Sequence, residues 1–160
     1  MLSVLILCAA VDVRHAVDLK TALEHAKRLD APILAYVHGS DWNRRGELLL
    51  EEMWKTPETT SMLSGHNFVL LDVDILQSPS EDMAEAQKGM HNKWRKKGLL
   101  TYPAVIALAP DGTTLGSRQG DTLPQRIDLA RESVLELAKA SSRSLDLHRL
   151  AVDAQTDDEQ

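Results

Sequence analysis

The stretch A-P-I-L-A-Y-V-H-G-S-D-W-N-R-R-G-E-L-L-L-E-E-M-W, residues 31–54, decides how the chain is read. Residues 33–37 are a continuous apolar run, the pattern of a strand covered on both faces. Residues 38–41 make a short polar loop, and a helix opens near Trp42. Where a strand runs into a helix N-terminus, free N–H groups and the positive end of the dipole gather polar chemistry. The residues at that junction are Trp42, Asn43, Arg44, Arg45 and Gly46.

Upstream, Asp18 is placed to cap a helix over residues 19–29, with Leu19, Ala22, Leu23 and Ala26 on one apolar face. Asp30-Ala31-Pro32 ends it. Downstream, the helix at the junction runs over residues 43–55, and Thr56-Pro57 starts another short one. Residues 68–75 read as the next strand. Ser78-Pro79-Ser80-Glu81 has the form of a capping box and opens a long helix to about Lys97. Its stripe of Met83, Ala86, Met90 and Trp94 has ordinary core spacing rather than that of a cofactor box. Gly98 closes this helix. Thr101-Tyr102-Pro103 leads into a strand over residues 104–109, and Pro110-Asp111-Gly112-Thr113 turns it back as a hairpin over 113–118. Leu123, Ile127, Ala130, Val134 and Leu137 mark a last amphipathic helix to about Ala140. One further helical turn is expected around 145–150 and disorder over the last eight residues. Strands separated by helices imply a parallel crossover, and the hairpin adds an antiparallel edge. A four-stranded mixed sheet covered on both faces accounts for this order.

The chain has 160 residues, enough for one domain with a real core, and no linker divides it. The segments read as an N-terminal piece over 1–16, the folded domain over 17–142 and a polar acidic tail over 143–160. A net charge of −6 argues against a general nucleic-acid binder. One cysteine, Cys8, can build neither an internal disulfide nor a cysteine-rich metal site. The six histidines show no metal-ligand spacing, and no cofactor is expected. Residues 1–10 are apolar but too short to span a bilayer. They read either as a truncated export signal, which places the protein in the periplasm or outside the cell, or as an extra strand of a cytoplasmic protein.

This order and three local signatures resemble the thioredoxin-like superfamily, in particular its bacterial thioredoxin-related branch with a G-S-D-W-C-x-x-C site. Gly39-Ser40-Asp41-Trp42 matches the entry to that site. Glu51-Glu52-Met53-Trp54-Lys55-Thr56-Pro57-Glu58 matches the continuation, and Thr101-Tyr102-Pro103 matches the loop whose proline is cis in that fold. The resemblance covers roughly residues 18–140. It implies a three-layer α/β/α sandwich with a mixed four- or five-stranded sheet. It also implies that the family's two cysteines fall on Asn43 and Gly46. Thiol–disulfide exchange needs a thiolate and a second thiol to resolve the mixed disulfide, and an amide and a bare Cα supply neither. The buried acid that many thioredoxins carry near this point falls at Val37-His38. His38 itself reads as a satisfied polar residue rather than a ligand.

The resulting expectation is a redox-inactive domain. It would bind a protein or extended peptide in a groove formed by Trp42, Asn43, Arg44, Arg45, Gly46, Tyr102 and Pro103. The alternatives are an oxidoreductase-related enzyme that relies on a partner's cysteines and a structural subunit of a larger assembly. No catalytic residue is assigned. Arg44 and Arg45 read either as solvated cations or as an anion or carboxylate site. Lys93, Arg95, Lys96 and Lys97 read as a solvated helix end. Asp72 and Asp74 share a strand face, but no acid–base partner is visible for them.

Overall fold

The computed structural model describes residues 14–16, 18–64, 67–96, 98 and 101–157. The elements run β1 (Arg14–Ala16), α1 (Leu19–Leu29), β2 (Ile33–His38), α2 (Arg44–Leu49) and α3 (Pro57–Ser64). They continue with β3 (Val69–Asp74), α4 (Glu81–Arg95), β4 (Ala104–Leu108), β5 (Thr114–Gln119) and α5 (Ile127–Asp157). One five-stranded sheet has the order β1-β3-β2-β4-β5. β1 and β2 both pair parallel with β3, while β4 pairs antiparallel with β2 and with β5. All six residues of β2 are buried, as a strand with neighbours on both edges and helices on both faces must be.

Two apolar layers cover the sheet. Leu34, Tyr36, Leu70 and Val105 point to one face, against Leu49, Met53 and Trp54 after the junction and Ala130, Val134 and Leu137 of α5. Ile33, Ala35, Val37, Val69 and Leu71 point to the other, against Ala22 and Ala26 of α1 and Trp94 of α4. The alternation along each strand is the period of two that sends successive side chains to opposite faces. Trp54 is fully buried and stacks on Tyr36 with ring centroids 5.4 Å apart.

Four boundaries differ from the sequence reading. A fifth strand, β1, forms at the end of the N-terminal piece, because Arg14–Ala16 finds the free edge of β3 at Val69–Leu71. Three residues are too few to show alternation. The single helix expected over 43–55 is α2 followed by one π turn over Leu50–Trp54. α4 opens at Glu81, after the proline, with Ser80 as N-cap and no side-chain cap bond. Of its expected apolar stripe, Trp94 is buried in the core, and the side chains of Met83, Ala86 and Met90 lie outside the described residues. α5 starts at Ile127 rather than Leu123 and continues unbroken to Asp157, through residues expected to be tail. Arg149 holds that extension: its guanidinium donates to the Asp30 carbonyl at 2.6 Å and meets the Asp30 carboxylate at 2.9 Å. Residues 1–13 and 158–160, and with them the signal-or-strand reading of the N-terminus, lie outside the described residues.

Trp54→Ala removes a ring that fills the space between the sheet and α5. By large-to-small behaviour in cores it should cost about 3–5 kcal/mol, read as a lower midpoint in urea unfolding with unchanged slope.

Candidate functional site

The loop leaving β2 is fixed almost wholly by the C-terminal end of β3. The Ser40 amide and hydroxyl donate to the Asp74 carboxylate at 2.8 and 2.5 Å. Asp41 accepts from the Gln77 and Ser78 amides at 2.9 to 3.1 Å, and those amides hold its carboxyl below the usual range. The Trp42 indole N–H donates to the Ile75 carbonyl at 2.7 Å. The indole lies over Gly39, where a Cβ would fall 2.2 Å from its ring nitrogen. Glycine is therefore required there by close approach. Trp42 remains 44% exposed and meets the ring of Tyr102 edge-on, with centroids 5.6 Å apart. The Tyr102–Pro103 bond is cis.

Asn43 caps α2: its side-chain oxygen accepts from the Gly46 amide at 2.9 Å. Gly46 is buried against β2, and a Cβ on it would come within 2.9 Å of the His38 Cβ. Its carbonyl accepts from the Tyr36 hydroxyl at 2.7 Å. Burial, aided by the charge of Asp72, pushes that phenol above its ordinary value. Tyr36 also stacks on His38 at 5.4 Å.

His38 sits beneath this junction, 2% exposed. Its Nε2 shares a 2.8 Å hydrogen bond with Asp72, and its Nδ1 lies 2.8 Å from a Glu47 carboxylate oxygen. Burial works against the imidazolium. The Asp72 hydrogen bond and the charges of Asp72, Asp74 and Glu47 outweigh it, so the ring titrates above the usual histidine value.

Of the residues singled out from sequence, Trp42 and Tyr102 meet on one side, Pro103 follows Tyr102 and is buried, and Asn43 and Gly46 are joined to each other by the cap. Arg44 and Arg45 line a separate cleft of about 610 Å³ with Leu48, Glu51, Glu52 and Gln125. There the Arg45 guanidinium donates to the Leu123 carbonyl, so one of the two cations closes a loop, while Arg44 is exposed. The link of His38 to Glu47, Asp72 and Asp74 escaped the sequence reading. The residues were visible singly, but the register that sets His38 opposite Asp74 and Tyr36 opposite Asp72 is long-range. Among the described residues no group of three or more His, Cys, Asp or Glu is arranged to hold a metal ion. Among them, too, no helix is long and apolar enough to cross a membrane.

Sheet order, strand-to-helix junction and the neighbouring cis-proline segment define a thioredoxin-like α/β fold. Comparison with known proteins agrees. A curated relative described as "Thioredoxin-related protein DsbJ", from Chlamydia pneumoniae, is 26% identical over 145 residues, covering 83% of this chain and 40% of that protein. The chain thus spans two fifths of the length of that relative. The solved structure of a "DsbH Oxidoreductase" aligns with a TM-score of 0.55 at 18% identity, over 69% of this chain and 75% of that one. A thioredoxin from Thermus thermophilus aligns with a TM-score of 0.55 at 16% identity, over 80% and 89%. No family model matches the chain. The chain is a thioredoxin-fold domain similar to Dsb proteins, and it contains one cysteine, Cys8.

Two substitutions probe the junction. Gly46→Ala forces a methyl against His38 and should destabilise by about 1–3 kcal/mol in urea unfolding, as overpacking does. Tyr36→Phe removes one of the two donors to the Gly46 carbonyl, the other being the Leu50 amide, and should cost about 0.5–1.5 kcal/mol by the same measurement.

Proposed function

We propose that this domain carries no thiol chemistry at its strand-to-helix junction and uses that face to hold a protein or extended peptide. Two thiols are needed for a dithiol–disulfide cycle, and the chain has Cys8 alone. On this reading the positions that carry cysteine in the related branch are Asn43 and Gly46, now serving as a helix cap and a close-packing glycine.

The observation that carries the reading is Trp42, 44% exposed and braced edge-on by Tyr102. A large ring held in place by a hydrogen bond and a neighbouring ring is a low-entropy anchor, the kind of residue that dominates binding surfaces. An extended segment laid beside Tyr102 and Pro103 would gain main-chain pairing in the manner of an added strand. Arg44, the exposed one of the two arginines of the separate cleft, lies two residues beyond Trp42 in the chain and adds a cation for acidic segments.

The test is binding of an extended-peptide library by the intact chain, followed by titration of the peptides retained. Trp42→Ala and Tyr102→Ala should each weaken those peptides by about tenfold or more, equivalent to about 1.4 kcal/mol. Unchanged affinity in both variants overturns the proposed surface. In an insulin-reduction assay with dithiothreitol the chain should give no turnover above background, and turnover would overturn the redox-inactive reading. Arg44→Glu should weaken acidic peptides and leave basic ones at least as tightly held, compared by the same titration.

A further inference from the structure

His38 meets a carboxylate at each ring nitrogen: Asp72 at 2.8 Å from Nε2 and Glu47 at 2.8 Å from Nδ1. Asp74 stands 4.0 Å from Nδ1. A neutral imidazole has one N–H and one lone pair. A lone pair facing an ionised carboxylate oxygen at 2.8 Å is repelled, so both contacts hold together only while the ring carries two protons. The contacts are not equivalent. Nε2 and Asp72 are aligned as a hydrogen bond, whereas Nδ1 and the Glu47 oxygen are both buried with no aligned hydrogen bond among the described residues. Asp72 belongs to β3. Glu47 belongs to the first turn of α2, and its amide donates to the Asn43 carbonyl at 3.2 Å, next to Trp42.

We propose that His38 is a proton-operated latch between β3 and α2: the imidazolium draws Glu47 and the first turn of α2 onto the sheet, and loss of the Nδ1 proton to solvent releases Glu47 while Asp72 stays bonded. The weaker, misaligned contact is the one that breaks, and it lies on the helix whose cap, Asn43, directly follows Trp42 in the chain. The charged and titratable groups around the ring come from every packed element. β2 contributes Tyr36, stacked on it. α2 contributes Glu47 and Arg45, whose charges both act on Tyr36. β3 contributes Asp72 and Asp74, and Lys55, after the π turn, interacts with Asp72 and Glu47. β4 contributes only apolar residues at this point. The ring's proton affinity is raised over its ordinary 6.5, so its stabilising contribution is complete below 6.5 and is lost as pH rises through the folded value. The latch is therefore closed in acid and opens toward alkali. The latch needs no ligand, whereas its effect on peptide capture rests on the function proposed above.

Nuclear magnetic resonance of the free, full chain tests it. The His38 ring signals should titrate with a midpoint above 6.5. The Trp42 indole N–H cross-peak, assigned by its loss in Trp42→Phe, should shift with that same midpoint. Glu47→Gln should lower the His38 midpoint and uncouple the Trp42 shift from it, and His38→Asn should abolish the Trp42 transition. Glu47→Gln changes a half-exposed side chain and carries the test if His38→Asn fails to fold. A His38 midpoint at or below 6.5, or a Trp42 signal that stays flat while His38 titrates, overturns the latch. Repeating the peptide titration on either side of the midpoint separates the two proposals. A titrating latch with no peptide bound at any pH leaves the latch standing and removes the binding surface.

Discussion

The structure depends on one pairing, the parallel register that sets β2 beside β3 and ends with His38 opposite Asp74. β2 has partners on both edges and apolar layers on both faces, so its chain can leave only at its end. Because β3 stops at the same level, the groups just beyond it receive everything the departing loop offers. Asp74 takes Ser40, the amides of Gln77 and Ser78 take Asp41, and the Ile75 carbonyl takes the Trp42 indole. A slip of one residue would turn every side chain of β2 to the opposite layer and separate all three contacts. The loop is thus held by sheet register rather than by its own turn propensity. That is why an exposed tryptophan keeps a defined place on it.

What could be read from sequence follows the range of the physics. Asp18 as a cap, the end of α1 at Asp30 and the continuous apolar run of β2 are local signals, and the structure places them as read. Thr56 and Pro57 are local in the same way and open α3. The fifth strand was not legible, since Arg14–Ala16 is a strand only because β3 offers an unpaired edge. Nor was the length of α5. Polar composition after Ser141 reads as tail until Arg149 is seen to reach Asp30 at the end of α1, 119 positions away in sequence. At the junction, residue types identified the place, but the partner of His38 was hidden. Neither Asp72 nor Asp74 is near it in the chain, and Glu47 lies across the loop in the first turn of α2.

The junction residues make sense together rather than singly. Gly46 lets α2 approach so closely that any Cβ there would press on His38. That approach brings the Gly46 carbonyl within reach of the Tyr36 hydroxyl and Glu47 within reach of the imidazole. Asn43 supplies the cap that a helix opened by two arginines needs, because Arg44 and Arg45 oppose the dipole while the cap and Glu47 favour it. Any side chain at position 46 would therefore press on His38.

The charge at position 38 completes that argument. Asp72, Asp74 and Glu47 keep between a third and two fifths of their side-chain surface, so water still solvates them, while His38 has lost nearly all of its own. An exposed carboxylate is cheap to leave charged, and a buried group in their midst must be compatible with all three. An acid there would set a fourth negative charge, without solvent, against the existing ones and would have to stay protonated. A neutral amide could answer one carboxylate as donor but would present its carbonyl oxygen to another. A group that carries a positive charge while bonded to Asp72 on one side and facing Glu47 on the other joins β3 to α2 at this point. In a ring of histidine's size that requirement is met by the imidazolium. A histidine at position 38 therefore supplies the cation that three neighbouring carboxylates require.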